Sequence, residues 1–334
     1  MIPAPGFWQN PPERPGIAAH VLAPFAALAM RLSARRIRNG RHRRVGVPVI
    51  CVGNINLGGT GKTPTVIALV ERLKSRGRIP HVVSRGYGGS LAGPVKVDAR
   101  THRAADVGDE PVLLAGFCPT WVSRDRYAGA VAAVAEGADV IVLDDGLQNP
   151  SLAKDVSLMV VDAVAGFGNG KVFPSGPLRE PLADGLARTE CVLTVGSEQA
   201  QLQFAARSPM PVGTVMAQGT LVPLATGMDW QGVRVLAFAG IGRPEKFFAT
   251  VRSLGAEVIR TVALADHQPL TLRLMQRLEQ DSFFKGAQMV TTEKDATRLP
   301  EAFRFRVLTV PVRLEVADWS GIDAALAQAG IVAG

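Results

Sequence analysis

The sequence carries no acidic residue between Arg14 and Val70. Within that stretch, seven arginines fall between Arg31 and Arg44, in RLSARRIRNGRHRR. A block of one sign without its counter-charge needs an anionic partner or bulk water. Cysteine is scarce. Cys51, Cys118 and Cys191 are widely spaced and form no CxxC pair, so neither a zinc site nor a disulfide framework is indicated, and three reduced structural thiols are expected. There is no internal repeat and no low-complexity tract. No apolar run reaches the roughly 20 residues that a bilayer span requires. The best of them, Gly16 to Met30, is interrupted by His20 and Pro24. Its charges follow the apolar run instead of preceding it, which is not the order of a signal peptide. The arginines come with no nucleic-acid motif and no interleaved aromatics, so nucleic acid is not expected as a partner.

What is present in this N-terminal segment is an apolar stretch with a basic end. At helical spacing Ile17, Val21, Pro24 and Leu28 share one face, and Arg31, Arg35 and Arg38 continue it. Such a segment suits an anionic membrane interface, where long Arg side chains reach lipid phosphates. The competing expectation is a helix packed on the domain with a solvated basic end.

Beyond it, the 334 residues, with a net charge of +8, read as short apolar strands alternating with amphipathic helices. VPVICVG, PHVVS, ADVIVLDD, DVSLMVVDA, ECVLTVG and the late FRVLTVPV are strand-like, and TPTVIALVERLKSRG and RDRYAGAVAAVAEG are helix-like. This alternation predicts an α/β fold with a parallel sheet flanked by helices. The expected organisation is a membrane-interface segment over 1–44, a P-loop NTPase-like lobe over 45–197, an irregular connection over 198–230 and a second, smaller α/β lobe over 231–334.

NLGGTGKTP, Asn56 to Pro64, lies between a strand and a helix. A phosphate-binding loop needs small residues so that backbone N–H groups can face phosphate oxygens, a Lys for the β and γ phosphates, and a hydroxyl for Mg²⁺. Gly58, Gly59 and Gly61 supply the first, Lys62 and Thr63 the others, and Asn56, Leu57 and Thr60 complete the loop. The helix N-terminus adds its positive end. Asn56 stands where the usual pattern begins with Gly, and Asn tolerates left-handed backbone angles better than most residues. VIVLDDGLQ then places Asp144 and Asp145 at the carboxyl end of an apolar strand, where a Mg²⁺-linked carboxylate belongs. A nucleoside triphosphate and Mg²⁺ are therefore the expected cofactors, with Thr63 and Asp144 as metal ligands.

These features do not name the phosphate acceptor. VSRGYGG (Val83 to Gly89), GDEPVLLA (Gly108 to Ala115), DDGLQ (Asp144 to Gln148), GFGNGKVFPSGPLREPL (Gly166 to Leu182), FAGIGRPEKFF (Phe238 to Phe248), ADHQPL (Ala265 to Leu270) and VTTEKDATRLP (Val290 to Pro300) occur in that order. The ordered set, from about Phe7 to about Val312, closely resembles the tetraacyldisaccharide 4′-kinase family of Gram-negative bacteria. The resemblance implies ATP-dependent phosphorylation of the 4′-hydroxyl of a tetraacylated glucosamine disaccharide 1-phosphate. It further implies a peripheral protein at the cytoplasmic face of the inner membrane. It places the catalytic base at Asp109, with His267 as the partner that orients it. From the residues alone, the favoured role of Asp109 is that of a helix cap.

Arg85, Tyr87 and Arg179 are candidates for anionic groups of ATP or the acceptor, with Asp145 and Gln148 beside them. Glu293, Lys294 and Asp295 read either as a nucleotide contact or as a solvated turn. Asn149 stands where the family commonly has His, so no role of that His carries over. Two alternatives remain: a membrane-associated P-loop ATPase without a lipid acceptor, against which Leu57 counts because it replaces a signature Lys, and a non-enzymatic nucleotide sensor.

Overall fold

The computed structural model describes residues 4–331. The outermost parts of the first and last expected segments, residues 1–3 and 332–334, lie outside them. In chain order the strands are β1 (Val49–Gly53), β2 (Pro80–Ser84), β3 (Val95–Lys96), β4 (Thr120–Val122), β5 (Val140–Asp144), β6 (Val156–Asp162), β7 (Cys191–Val195), β8 (Met216–Pro223), β9 (Arg234–Ala239), β10 (Glu257–Ala263), β11 (Gln288–Thr292), β12 (Val307–Val310) and β13 (Val312–Val316). Among the described residues they form two sheets. The larger has nine strands in the order β13-β8-β7-β6-β1-β5-β2-β4-β3, and the smaller four in the order β10-β9-β11-β12. All pairings are parallel except β3 with β4 and β13 with β8 at the two edges of the larger sheet.

β1, β2, β5, β6 and β7 are buried along their whole length, as apolar strands covered on both faces must be. One face packs under the helix Lys62–Ser75 and the C-terminal helix Ser320–Gln328 through Val66, Leu69, Leu73, Ile322 and Leu326. The other face packs through Ile55, Ile141, Leu143, Met159 and Phe204. β1 lies between β5 and β6, so the loop after it opens at the crevice where the strand order reverses across the sheet.

Three segments differ from the sequence-based expectation. The stretch 198–230 is not an irregular connection, because it contains the helix Glu198–Arg207 and the strand β8. FRVLTVPV is not one strand. Pro311 divides it into β12, which joins the smaller sheet, and β13, which returns to the larger one. The chain from β13 onward therefore packs on the first lobe, and 231–334 is not a single unit. The N-terminal segment forms two helices, Ile17–Val21 and Ala23–Arg38, with Pro24 in the first turn of the second, where its missing N–H is tolerated.

Candidate active site

The phosphate-loop motif leaves β1 and enters the helix Lys62–Ser75, as the strand–loop–helix context predicts. Gly58 and Gly61 take left-handed backbone angles, φ 107° and 94°. Asn56 does not, so its tolerance of such angles is not the reason it fits. Its buried side chain instead donates to the Gly166 carbonyl at 3.0 Å, while Leu57 N–H bonds the Pro177 carbonyl and Arg179 N–H the Ile55 carbonyl. The GFGNGKVFPSGPLREPL motif is thus the outer wall of the loop. Asn54 braces it from within, donating to Thr60 Oγ1 at 3.0 Å and the Gly58 carbonyl at 3.3 Å.

Asp144 ends β5 beside Val52 of β1. Ser84 Oγ donates to its Oδ2 at 2.9 Å. Its Oδ1 is buried with no hydrogen-bond partner among the described residues. Burial, then Glu110 and Asp145, push the Asp144 carboxyl up to about 7, against Lys62 and the Ser84 hydrogen bond. This is a carboxylate short of positive charge. No three His, Cys, Asp or Glu side chains gather as a protein-only metal cage among the described residues. Mg²⁺ in phosphate-transfer sites needs no such cage, being held by one or two protein oxygens together with phosphates and water.

The neighbouring Asp145 lies 3.7 Å from Lys62 Nζ and 3.1 Å from Arg179 Nη1. Burial raises its carboxyl, but Lys62 and Arg179 outweigh burial and hold it below the usual carboxylate range. Arg179 also reaches Gln148 Oε1 at 3.4 Å, and Gln148 donates to Glu180 Oε1 at 2.8 Å and the Asn54 carbonyl at 3.0 Å. Three of the residues expected to bind substrate thus bond to one another. Arg85 and Tyr87 are exposed at the end of β2. Asn149 turns its amide oxygen to Ser151, accepting from its N–H and hydroxyl, and so closes a local turn.

Asp109 and His267 come together from the two lobes. His267 Nδ1 sits 2.9 Å from Asp109 Oδ2 and 3.1 Å from Oδ1. Asp109 is not the helix cap, because Gly108 holds that position and Asp109 opens the first turn. Burial pushes its carboxyl up, but the His267 hydrogen bond, Lys294 and Arg298 together bring it below its ordinary value. Asp109 is therefore ionised at neutral pH. His267 and Asp145 are two of the three non-glycine residues with left-handed backbone angles among the described residues, φ 59° and 53°. Such strain concentrates where a side chain must be aimed. The Tyr87 ring lies 5.4 Å from the His267 ring.

The late TTEKD turn is not solvated. Lys294 Nζ lies 3.1 Å from Glu110 Oε1 and 3.4 Å from His267 Nε2. A neutral His267 whose Nε2 accepts from that ammonium carries its proton on Nδ1, aimed at Asp109. Arg298 Nε approaches Asp109 Oδ2 at 3.5 Å, and its guanidinium also holds Asp295 and the Gly240 and Gln268 carbonyls. Arg126, absent from the sequence-based candidates, is buried near Asp144 and Asp145, and its Nε has no hydrogen-bond partner among the described residues.

The family model for tetraacyldisaccharide-1-P 4′-kinase matches residues 18–330. This chain belongs to that family. Tetraacyldisaccharide 4′-kinases of Jannaschia sp. and Dinoroseobacter shibae are each 58% identical to it, over 97% and 96% of this chain and 98% and 96% of their own. Among solved structures, LpxK from Aquifex aeolicus in complex with ATP has the same fold, with a TM-score of 0.73 at 22% identity over 94% of this chain and 99% of that one. The kinase-family assignment agrees with the resemblance carried by the seven ordered motifs.

Proposed function

We propose that this protein transfers the terminal phosphoryl group of ATP to the 4′-hydroxyl of a tetraacylated glucosamine disaccharide 1-phosphate. The observation that carries the reading is the Asp109–His267 pair, closed at 2.9 Å in a chain whose phosphate-loop motif lies between β1 and a helix. Lys62 and the loop amides bind the β and γ phosphates. Thr63 and the unpartnered Asp144 Oδ1 would hold Mg²⁺, which neutralises charge on the phosphates when bound. Asp109 takes the proton of the 4′-hydroxyl as that oxygen bonds to phosphorus and the bond to the ADP oxygen breaks. His267, held by Lys294, keeps the carboxylate aimed. Arg85 and Tyr87 are placed for anionic groups of either substrate. Incubation with ATP and Mg²⁺, with and without the lipid disaccharide, tests this. Phosphate should appear on the acceptor, with little hydrolysis in its absence. Strong acceptor-independent hydrolysis would instead favour a P-loop ATPase.

The same proposal puts the protein on the cytoplasmic face of the inner membrane. Among the described residues no helix is long and apolar enough to cross a bilayer. The two N-terminal helices instead present an exposed stripe of Ile17, Val21, Phe25, Leu28 and Leu32, while Ala19 and Ala26 face the protein. Not all seven arginines extend it. Arg43 pairs with Asp125 and stacks on Tyr127, Arg44 pairs with Asp155, and Arg36 donates to the Gln148 carbonyl. Arg31, Arg35 and Arg38 are exposed.

Each Arg near an anionic leaflet contributes about 1 kcal/mol, screened by salt, whereas each buried apolar side chain adds about 1.5–3 kcal/mol that salt does not weaken. Replacing Arg31, Arg35 and Arg38 by Gln should therefore weaken co-sedimentation with anionic vesicles at low salt and leave neutral vesicles almost unaffected. Phe25→Ser with Leu28→Ser should weaken both. Unchanged binding of the triple Arg variant to anionic vesicles at low salt would rule out the electrostatic part.

A further inference from the structure

The FAGIGRPEKFF motif has no part in the reaction as described so far, yet it leads directly to the phosphate loop. It leaves the carboxyl end of β9 and turns into the helix Pro244–Ser253. Within the turn, Gly242 lies against Gly59. A Cβ built on Gly242 would stand 3.0 Å from Gly59 N and 3.3 Å from its Cα, so any side chain there would push the second lobe off the loop. The next residue, Arg243, points its Nη1 at Asp162 Oδ1 at 3.3 Å, and Lys246 Nζ reaches Asp162 Oδ2 at 2.6 Å.

Asp162 ends β6, the strand beside β1, and its side chain is buried. It is already well satisfied without Arg243. Lys246 neutralises it, and its Oδ1 accepts the backbone N–H groups of Val164 and Ala165 at 2.9 and 3.2 Å. One carboxylate thus faces two cations, and one positive charge is left over beside a loop built for phosphates. Arg243 carries that excess. Its side chain is 30% exposed against 6% for Asp162, and among the described residues it spends one of its five N–H donors.

We propose that Arg243 is a nucleotide ligand delivered by the second lobe. It binds the terminal phosphate of a nucleoside triphosphate held on the Gly58–Thr63 loop, and Asp162 is where it rests when that phosphate is absent. This rests on the kinase reading and adds to it a discriminator of triphosphate from diphosphate. The planar guanidinium fork suits a phosphate better than an ammonium does. An arginine supplied by a separate structural unit is a recurring device for charge on a transferring phosphoryl group. Gly242 is small because the arginine's backbone must come this close.

Calorimetric titration of the full chain with ADP and with the β,γ-methylene analogue of ATP, both with Mg²⁺, tests the proposal without any lipid acceptor. Arg243→Ala should weaken the triphosphate analogue by roughly 10- to 100-fold, the worth of one charge-assisted contact, and leave ADP within a few-fold of wild type. Arg243→Lys should recover part of the loss. Asp162→Asn separates this role from that of a strut between lobes. It loosens the ion pair yet keeps an acceptor for Val164 and Ala165, so it should retain the triphosphate preference. If Arg243→Ala and Asp162→Asn weaken both nucleotides alike, Arg243 is only a strut and the proposal is overturned. If Arg243→Ala binds both nucleotides like wild type while Lys62→Ala does not, the proposal fails and the nucleotide site stands. If Lys62→Ala also binds like wild type, the nucleotide site is elsewhere and both readings fall.

Discussion

Asp109→Asn is expected to lower kcat by roughly 10²- to 10⁴-fold, the usual worth of a positioned general base, with nucleotide affinity hardly changed. The amide preserves shape and keeps one acceptor oxygen but cannot take the hydroxyl proton. His267→Ala should act on the same step, because its Nδ1 sits 2.9 and 3.1 Å from the Asp109 carboxylate oxygens. The double variant should lose much less than the product of the two single losses. The acid limb of the kcat–pH profile adds a second readout. Asp109 lies below the usual carboxylate range because His267, Lys294 and Arg298 outweigh burial. Removing the Lys294 ammonium raises the Asp109 pKa, so at a given acidic pH less of the base is ionised. Lys294→Met should therefore move the acid limb to higher pH, with the alkaline plateau closer to wild type. Fully multiplicative losses in the double variant, or an acid limb that stays put in Lys294→Met, would show that these residues do not act as a unit.

How much of this was legible in the sequence depended on how local each feature is. The phosphate-loop motif is a run of neighbouring residues, and its place between a strand and a helix was readable outright. Asp144 was readable because a strand's carboxyl end is a local property. The partnership of Asp109 and His267 was not. Those residues are 158 positions apart and meet only because the second lobe docks over the first, so it entered through family resemblance. Lys294, Arg298 and Arg243 depend on the same docking, and the local sequence around each names no partner for it.

The missed elements have equally physical causes. The inward positions of β8 include Ala217 and Gly219, too small to give an apolar alternation. The buried face of Glu198–Arg207 includes Gln201, which pairs with Thr194 instead of packing as a hydrophobe. Pro311 lies inside the apolar run FRVLTVPV, but with no N–H to donate it marks the point where the chain changes sheets.

Lys62→Ala should all but abolish transfer while the protein stays folded. On the proposed reading Lys62 is the principal cation for the γ phosphate, and removing one such preorganised group costs about 10²–10³ in kcat. The fold should tolerate the loss. Lys62 contacts Asp145 at 3.7 Å, but Asp145 keeps the closer Arg179 at 3.1 Å. The melting temperature without nucleotide should therefore stay near that of wild type. What should vanish is the rise on adding nucleotide. Ligand at 100 times its Kd stabilises the folded state by about 2.7 kcal/mol, and a variant that no longer binds gains nothing. The two measurements together separate a damaged fold from a lost site. A folded Lys62→Ala protein with near-normal turnover and an intact nucleotide-dependent rise in Tm would end the assignment of this loop as the phosphate site.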